Sequence, residues 1–452
     1  MGSGNIDYRR LIWGRSSGEE PAAPLLDPLL VVLAILAAVA PTTWFLPRDQ
    51  GYFVSLFALL TVIVYAVVLT DIRLRTDPFF LVLVGGYWVG LVAHYWLHSP
   101  QTELLQYIVV TPLAVVATVV VFPRLVQGRP QTFAMGLTVV AVLVSLVGIW
   151  YLWRILQGDP ITIMGSTRSR WVGTPVMGFE AFDNLRTVSV FHNPNTYGLF
   201  MMIGSLTALY TLLARGGLVW AVAFGLCVLG LFMSEGDAAY LGFGIGALIV
   251  LSGYHRWLAV GGIAVGVLVV YGTIRIGHVE GVMESTLMSR VDRWVLSLER
   301  LAEDPLWGIG FVDAGPEIDG ARGPHNSFIH VLLNTGIIAG VLYLGALVYA
   351  LGQGIRRRWT MWTAYVVGTT VGLFTFMSFE SLFLGGLSVS SIALGFFLGC
   401  CLLSGPDRNL DANRAASIRE SLSNSRLARL YTTLRRRGRS IDRKTEARGG
   451  ER

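Results

Sequence analysis

The chain has 452 residues, of which 53% are hydrophobic and only 14% charged, with a mean hydropathy of +0.59. Soluble domains carry about 25% charged residues, so this composition cannot cover a water-facing surface of such size. It excludes a soluble enzyme, a nucleic-acid-binding domain and a secreted disulfide scaffold, and it predicts an all-α, polytopic integral membrane protein. The net charge of +6 is unevenly placed: residues 404–452 hold thirteen Lys/Arg against six Asp/Glu, so the rest of the chain is nearly neutral. That basic tail suits an anionic membrane surface rather than nucleic acid. Cys227, Cys400 and Cys401 sit in apolar runs and read as small core residues.

Runs of about 20 apolar residues, long enough to span a bilayer, predict about twelve transmembrane helices. They fall at 25–46, 51–70, 78–97, 104–122, 133–156, 190–213, 217–233, 237–251, 257–275, 328–352, 360–378 and 382–403. The first run starts late and lacks a small-residue cleavage site, so no cleavable leader is expected. Five segments follow: a cytoplasmic N-terminal segment (1–24), spans one to nine (25–275, with an outer loop at 157–189), a large extracytoplasmic loop (276–327), spans ten to twelve (328–403), and a basic cytoplasmic tail (404–452). Positive charge alternates with this count. Arg9, Arg10 and Arg15, then Arg73, Arg75, Arg124, Arg129, Arg215, Arg256 and Arg356–Arg358 fall on one side with the tail. The short connections opposite hold Asp49, Glu103, Glu235, Asp237 and Glu380, with Arg48 as the lone cation. The positive-inside rule then puts both termini in the cytoplasm. Trp44, Trp96, Trp150, Trp153 and Trp171, at span ends, read as interfacial anchors.

Two outer connections are too long to be plain turns, and such loops usually carry function. In the second, Ser289–Glu303 spaces Val291, Trp294, Val295, Leu298 and Leu301 at helical intervals, which predicts an amphipathic helix ended by Asp304-Pro305. Then comes G-P-H-N-S-F-I-H from Gly323, where Asn326 or Ser327 can cap the tenth span. His325 therefore falls at a helix N-terminus, whose dipole favours a neutral imidazole of the kind a general base needs. The position equally suits an interfacial histidine that closes a loop. The first long loop ends L-R-T-V-S-V-F-H-N-P-N-T-Y-G, with Asn193-Pro194 as cap and first helical residue. Arg186, Arg290 and Arg293 thus fall at the outer boundary, where three guanidiniums can converge on phosphate. Taken singly, Arg293, Arg300 and Arg322 also fit as solvated surface charges.

Three stretches together resemble the O-antigen ligase and polymerase superfamily of membrane glycosyltransferases. The first is His325-Asn326, nine residues, then Gly336. The second is Arg290 with Trp294, followed by D-P-L-W-G-I-G-F from Asp304. The third is Arg186 ahead of F-H-N-P-N-T-Y-G, with Asn193 and Asn195. The twelve-span layout, with its large outer loop between spans nine and ten, is similar to that family across essentially the whole chain. Two features depart from its pattern: Ala339 stands three after Gly336, and S-E-G-D (Ser234–Asp237) replaces a Ser-Arg pair.

The resemblance implies a metal-independent, inverting glycosyltransferase of the plasma (inner) membrane that acts in cell-surface polysaccharide or lipopolysaccharide synthesis, without a cofactor. Its donor would be a polyprenyl-pyrophosphate-linked glycan and its acceptor a hydroxyl on another glycoconjugate. His325 would be the base. Arg186, Arg290 and Arg293 would hold the pyrophosphate, with Asn326, Asn193, Asn195 and Trp294 in support. A polymerase of the same superfamily is the near alternative, and a secondary transporter of a small anion is the alternative from another class. His94 with His98, and Glu317 with Asp319, are weaker metal-ligand pairs; an interfacial role for the first and solvation for the second explain them as well. His330, five past His325, is expected to face elsewhere, His192 is a possible supporting group, and Glu380 reads as a solvated acid at an outer boundary.

Overall fold

The computed structural model describes residues 26–70, 76–97, 102–157, 162–163, 166–167, 187–234, 236–255, 257–263, 279–310 and 323–403. Contacts divide the chain into two units, Met1–Leu403 and Ser404–Arg452; the second, with its basic tail, lies outside the described residues. Among its described residues the first is mainly helical, with a minimal antiparallel hairpin, β1 (Thr162–Ile163) and β2 (Ser166–Thr167).

Helix α1 (Leu26–Val39) ends in a 3-10 turn at Pro41. Then follow α2 (Arg48–Leu69), α3 (Pro78–Leu97) and α4 (Thr102–Val115), which runs through a π-helical stretch, Val116–Val121, into α5 (Phe122–Gln127). Next are α6 (Pro130–Leu156), α7 (Pro194–Arg215), α8 (Leu218–Met233) and α9 (Asp237–Tyr254). After a short helix at 257–263 come α10 (Val279–Glu303), α11 (Ser327–Ile355), α12 (Met361–Met377) and α13 (Val389–Leu402). Seven helical stretches among the described residues are long and apolar enough to cross a membrane, and four shorter apolar helices accompany them. The expected ninth span is helical at 257–263, and its remainder lies outside the described residues.

The outward surface matches a lipid solvent: on α2, Phe53 and Phe57 are 72% and 73% exposed, where a water-soluble bundle would bury them. The interior is built around α7, which is buried along most of its length. Small residues bring α9 and α12 together. A Cβ at Gly242 would lie 2.6 Å from the Gly372 carbonyl oxygen, and one at Gly246 2.8 Å from that of Gly368. Two small-x-x-x-small faces thus let the backbones touch, the usual device where lipid removes any hydrophobic drive between helices. Hydroxyls bridge helices in the core, as Thr207 does to Tyr365 at 2.8 Å.

Three element boundaries differ from the sequence expectation. The sixth expected span starts at Pro194 rather than 190, because residues 190–192 pair with the turn after α1: Trp44 N donates to Val190 O and His192 N to Thr42 O. Trp44 is therefore more than an interfacial anchor, since its indole nitrogen also donates to Ser189 O at 2.9 Å. The amphipathic helix starts at Val279, ten residues early, in a stretch rich in good helix formers. The twelfth expected span shortens to α13, leaving 378–388 without an α-helix; this stretch enters the candidate site.

Candidate functional site

The N-termini of α7 and α11 and the C-terminus of α12 meet at one end of the bundle. Helix α11 starts where it does because Asn326 caps it: its Oδ1 accepts from Phe328 N at 3.0 Å and Ile329 N at 3.1 Å. The Asn326 Nδ2 donates to Ser378 O at 3.0 Å, which ties the cap to the end of α12. Just before it, Pro324 O accepts from the Trp294 indole of α10 at 3.0 Å. Pinned from both sides, His325 holds φ +47°, a left-handed conformation uncommon outside glycine.

Glu380 is the hub of the site. Its Oε1 accepts from Asn195 Nδ2 at 2.8 Å, and its Oε2 lies 3.4 Å from His325 Nδ1. Arg290 Nη2 is 3.8 Å from Oε1, close enough for attraction but too far for a hydrogen bond. One carboxylate thus touches groups from α7, α10 and the start of α11. The Glu380 side chain is 15% exposed, against 19% for Arg290 and 33% for His325. Its backbone is fixed too, since Ser327 Oγ donates to Glu380 O at 2.7 Å and accepts from Leu382 N at 2.8 Å. Further along, Tyr107 donates to Leu384 O and Leu384 N donates to the Tyr343 hydroxyl. The Arg290 guanidinium lies 5.7 Å from the centroid of the Phe379 ring, which Trp294 also approaches. In a neutral imidazole, a carboxylate facing Nδ1 favours the tautomer with Nδ1–H toward it, in which Nε2 is the acceptor.

The structure therefore brings together His325, Asn326, Arg290, Trp294 and Asn195. Asn193 stands at the cap of α7, accepting from Asn195 N at 2.8 Å. Arg293 is half-buried on α10, and no ion pair joins it to Glu380. Arg186, Arg322, Glu317, Asp319 and His98 lie outside the described residues. Arg300 pairs with Glu303, three residues on along α10. His192 is exposed. His94 is buried, 1% exposed, with Nε2 2.5 Å from Trp307 O. Among the described residues no three His, Cys, Asp or Glu side chains cluster as metal ligands would. Glu380 is the group that sequence reasoning missed. An acid between two apolar runs is by default a functional candidate, and that signal was present.

A second arrangement steadies the large loop. Gly336 interrupts α11 at φ +70°. There Leu333 O and Asn334 O accept from Ile309 N and Gly310 N of the loop, and Ile337 N donates to Pro305 O. The loop after α10 thus takes the place of a helical turn.

Residues 220–344 match the family model for O-antigen ligase. The stretch runs from α8 into α11 and contains Arg290, Trp294, His325, Asn326 and Gly336, but neither Asn195 nor Glu380. No curated protein matches the chain. The match falls on the segment carrying two of the three stretches whose resemblance the sequence displays, and it supports the O-antigen ligase family for this chain, a membrane enzyme of ligase or polymerase type.

Proposed function

We propose that the protein is an extracytoplasmic glycosyltransferase of the ligase type, with twelve spans and both termini in the cytoplasm. It moves a glycan from a polyprenyl-pyrophosphate carrier to an acceptor hydroxyl on another glycoconjugate. The observation that carries this reading is the convergence of His325, Arg290 and Asn195 on the Glu380 carboxylate at one end of the bundle. His325 Nε2 takes the proton of the attacking hydroxyl while Glu380 holds the opposite ring edge. The acceptor oxygen bonds to the anomeric carbon as that carbon's bond to the pyrophosphate oxygen breaks, with inversion. The electron pair leaves on the pyrophosphate, already a good leaving group, so that no general acid is needed. Arg290, joined by Arg186 and Arg293, offsets the charge on the phosphates.

The test uses membranes holding the full chain and a lipid extract from host cells lacking it. With chelator present, glycan should pass from lipid to acceptor as polyprenyl pyrophosphate appears. A single transfer marks a ligase, and a ladder of lengthening chains marks a polymerase. Loss of activity on chelation would overturn metal independence, and solute flux into vesicles without covalent change would replace the enzyme with a transporter.

A further inference from the structure

The non-helical stretch between α12 and α13 presents two flanks to the site. On one, Phe379 lies under Arg290 and beside Trp294. On the other, the exposed Ser381 places its hydroxyl 3.0 Å from His330 Nδ1, and the His330 ring meets Phe383 edge to face with centroids 4.9 Å apart. Glu380 separates the flanks in sequence. His330 thus belongs to a neighbouring group of partly open polar and aromatic side chains, for which neither the fold nor the donor chemistry gives a use.

We propose that Ser381, His330 and Phe383 form the subsite for the acceptor saccharide, an inference that rests on the glycosyltransferase reading. The two substrates differ in charge. The donor brings a pyrophosphate and belongs with Arg290, whereas the acceptor brings neutral hydroxyls and the weakly polar face of a sugar ring. The second flank offers the matching chemistry: a hydroxyl and an imidazole to exchange hydrogen bonds, an aromatic ring to lie against sugar C–H groups, and no formal charge on Ser381 or Phe383. Ser381 directly follows Glu380, the carboxylate beside His325, so this group adjoins the proposed base. The Ser381–His330 hydrogen bond also sets the hydroxyl's direction before a sugar arrives, which reduces the ordering cost of binding.

The experiment is a two-substrate titration with the full chain in membranes. The donor is the polyprenyl-linked glycan extracted from host cells lacking the protein, and the acceptor is the glycolipid fraction of the same cells; each is varied at fixed levels of the other. Ser381→Ala and Phe383→Leu, both mild substitutions, should each raise half-saturating acceptor about five- to tenfold, the worth of roughly one hydrogen bond or ring contact. Half-saturating donor should stay within about twofold, whereas Arg290→Lys should shift the donor value instead. Equal shifts for both substrates, as a purely structural contact would give, or no shift at all, would overturn the subsite while leaving the proposed function standing. A wild-type protein that transfers nothing would overturn the function, and the subsite with it.

Discussion

At the scale of single residues, the carboxylate of Glu380 does two things that pull in opposite directions. It lies 3.4 Å from His325 Nδ1, and 3.8 Å from the Arg290 guanidinium that, under the proposed function, holds the donor's pyrophosphate. Before donor binds, it partly neutralises the cation; once donor is bound, two anions share that cation. Glu380→Gln keeps the shape and removes the charge, so it should lower kcat on the order of tenfold or more through a less firmly held imidazole, short of the 10²–10⁴ lost with the base itself. The same change should lower half-saturating donor, because the competing charge is gone. Steady-state kinetics with the extracted donor separate the two effects, and an unchanged kcat or a raised donor requirement would contradict this role. His325, Asn326 and Arg290 were legible in the sequence because cap chemistry, a proline and helical spacing locate them on elements. From sequence alone Glu380 reads as solvated, because only tertiary contacts, those from Ser327, Asn195 and Arg290, turn it inward.

At the scale of elements, apolar runs foretold where helices lie, but not where they break. The interruption of α11 depends on chain twenty-four residues away: Leu333 O and Asn334 O are satisfied by Ile309 and Gly310 instead of the next helical turn. Carbonyls left unpaired at membrane depth would each cost several kcal/mol, so break and loop form together or not at all. The buried His94, on the Trp307 carbonyl, ties α3 to the same loop. Only glycine fits at the break, since a Cβ at Gly336 would fall 2.1 Å from Leu306 O and the residue already holds φ +70°. Gly336→Ala should therefore destabilise the protein by about 2 kcal/mol or more, from left-handed backbone and overpacking together. A lowered thermal unfolding midpoint in detergent checks this, and an unchanged midpoint would show that the loop does not depend on the break. The missing helix at 378–388 has a similar origin: the Ser327 hydroxyl and two tyrosines engage backbone groups of Glu380, Leu382 and Leu384 that a helix would have used.

At the scale of the whole molecule, composition was the most informative signal, because a bilayer constrains every helix at once. Arg215 ends α7 and Arg356 follows α11, at the ends opposite those that meet at Glu380. The proposed topology thus sets the cationic ends inside and the His325 end outside, where lipid-linked glycans and their acceptors would meet. The chain between α9 and α11 supplies α10 with Arg290, the bundle supplies Asn195 and Glu380, and neither part alone completes the site. The most direct measurement is glycan transfer from extracted polyprenyl-pyrophosphate donor by membranes carrying equal amounts of wild-type or His325→Ala protein. With a positioned base removed, the rate should fall by about 10²–10⁴ while expression and insertion stay near wild type, because one partly exposed side chain at a helix start contributes little to a bundle of this size. Transfer at the wild-type rate by His325→Ala would contradict the assignment of His325 as the base.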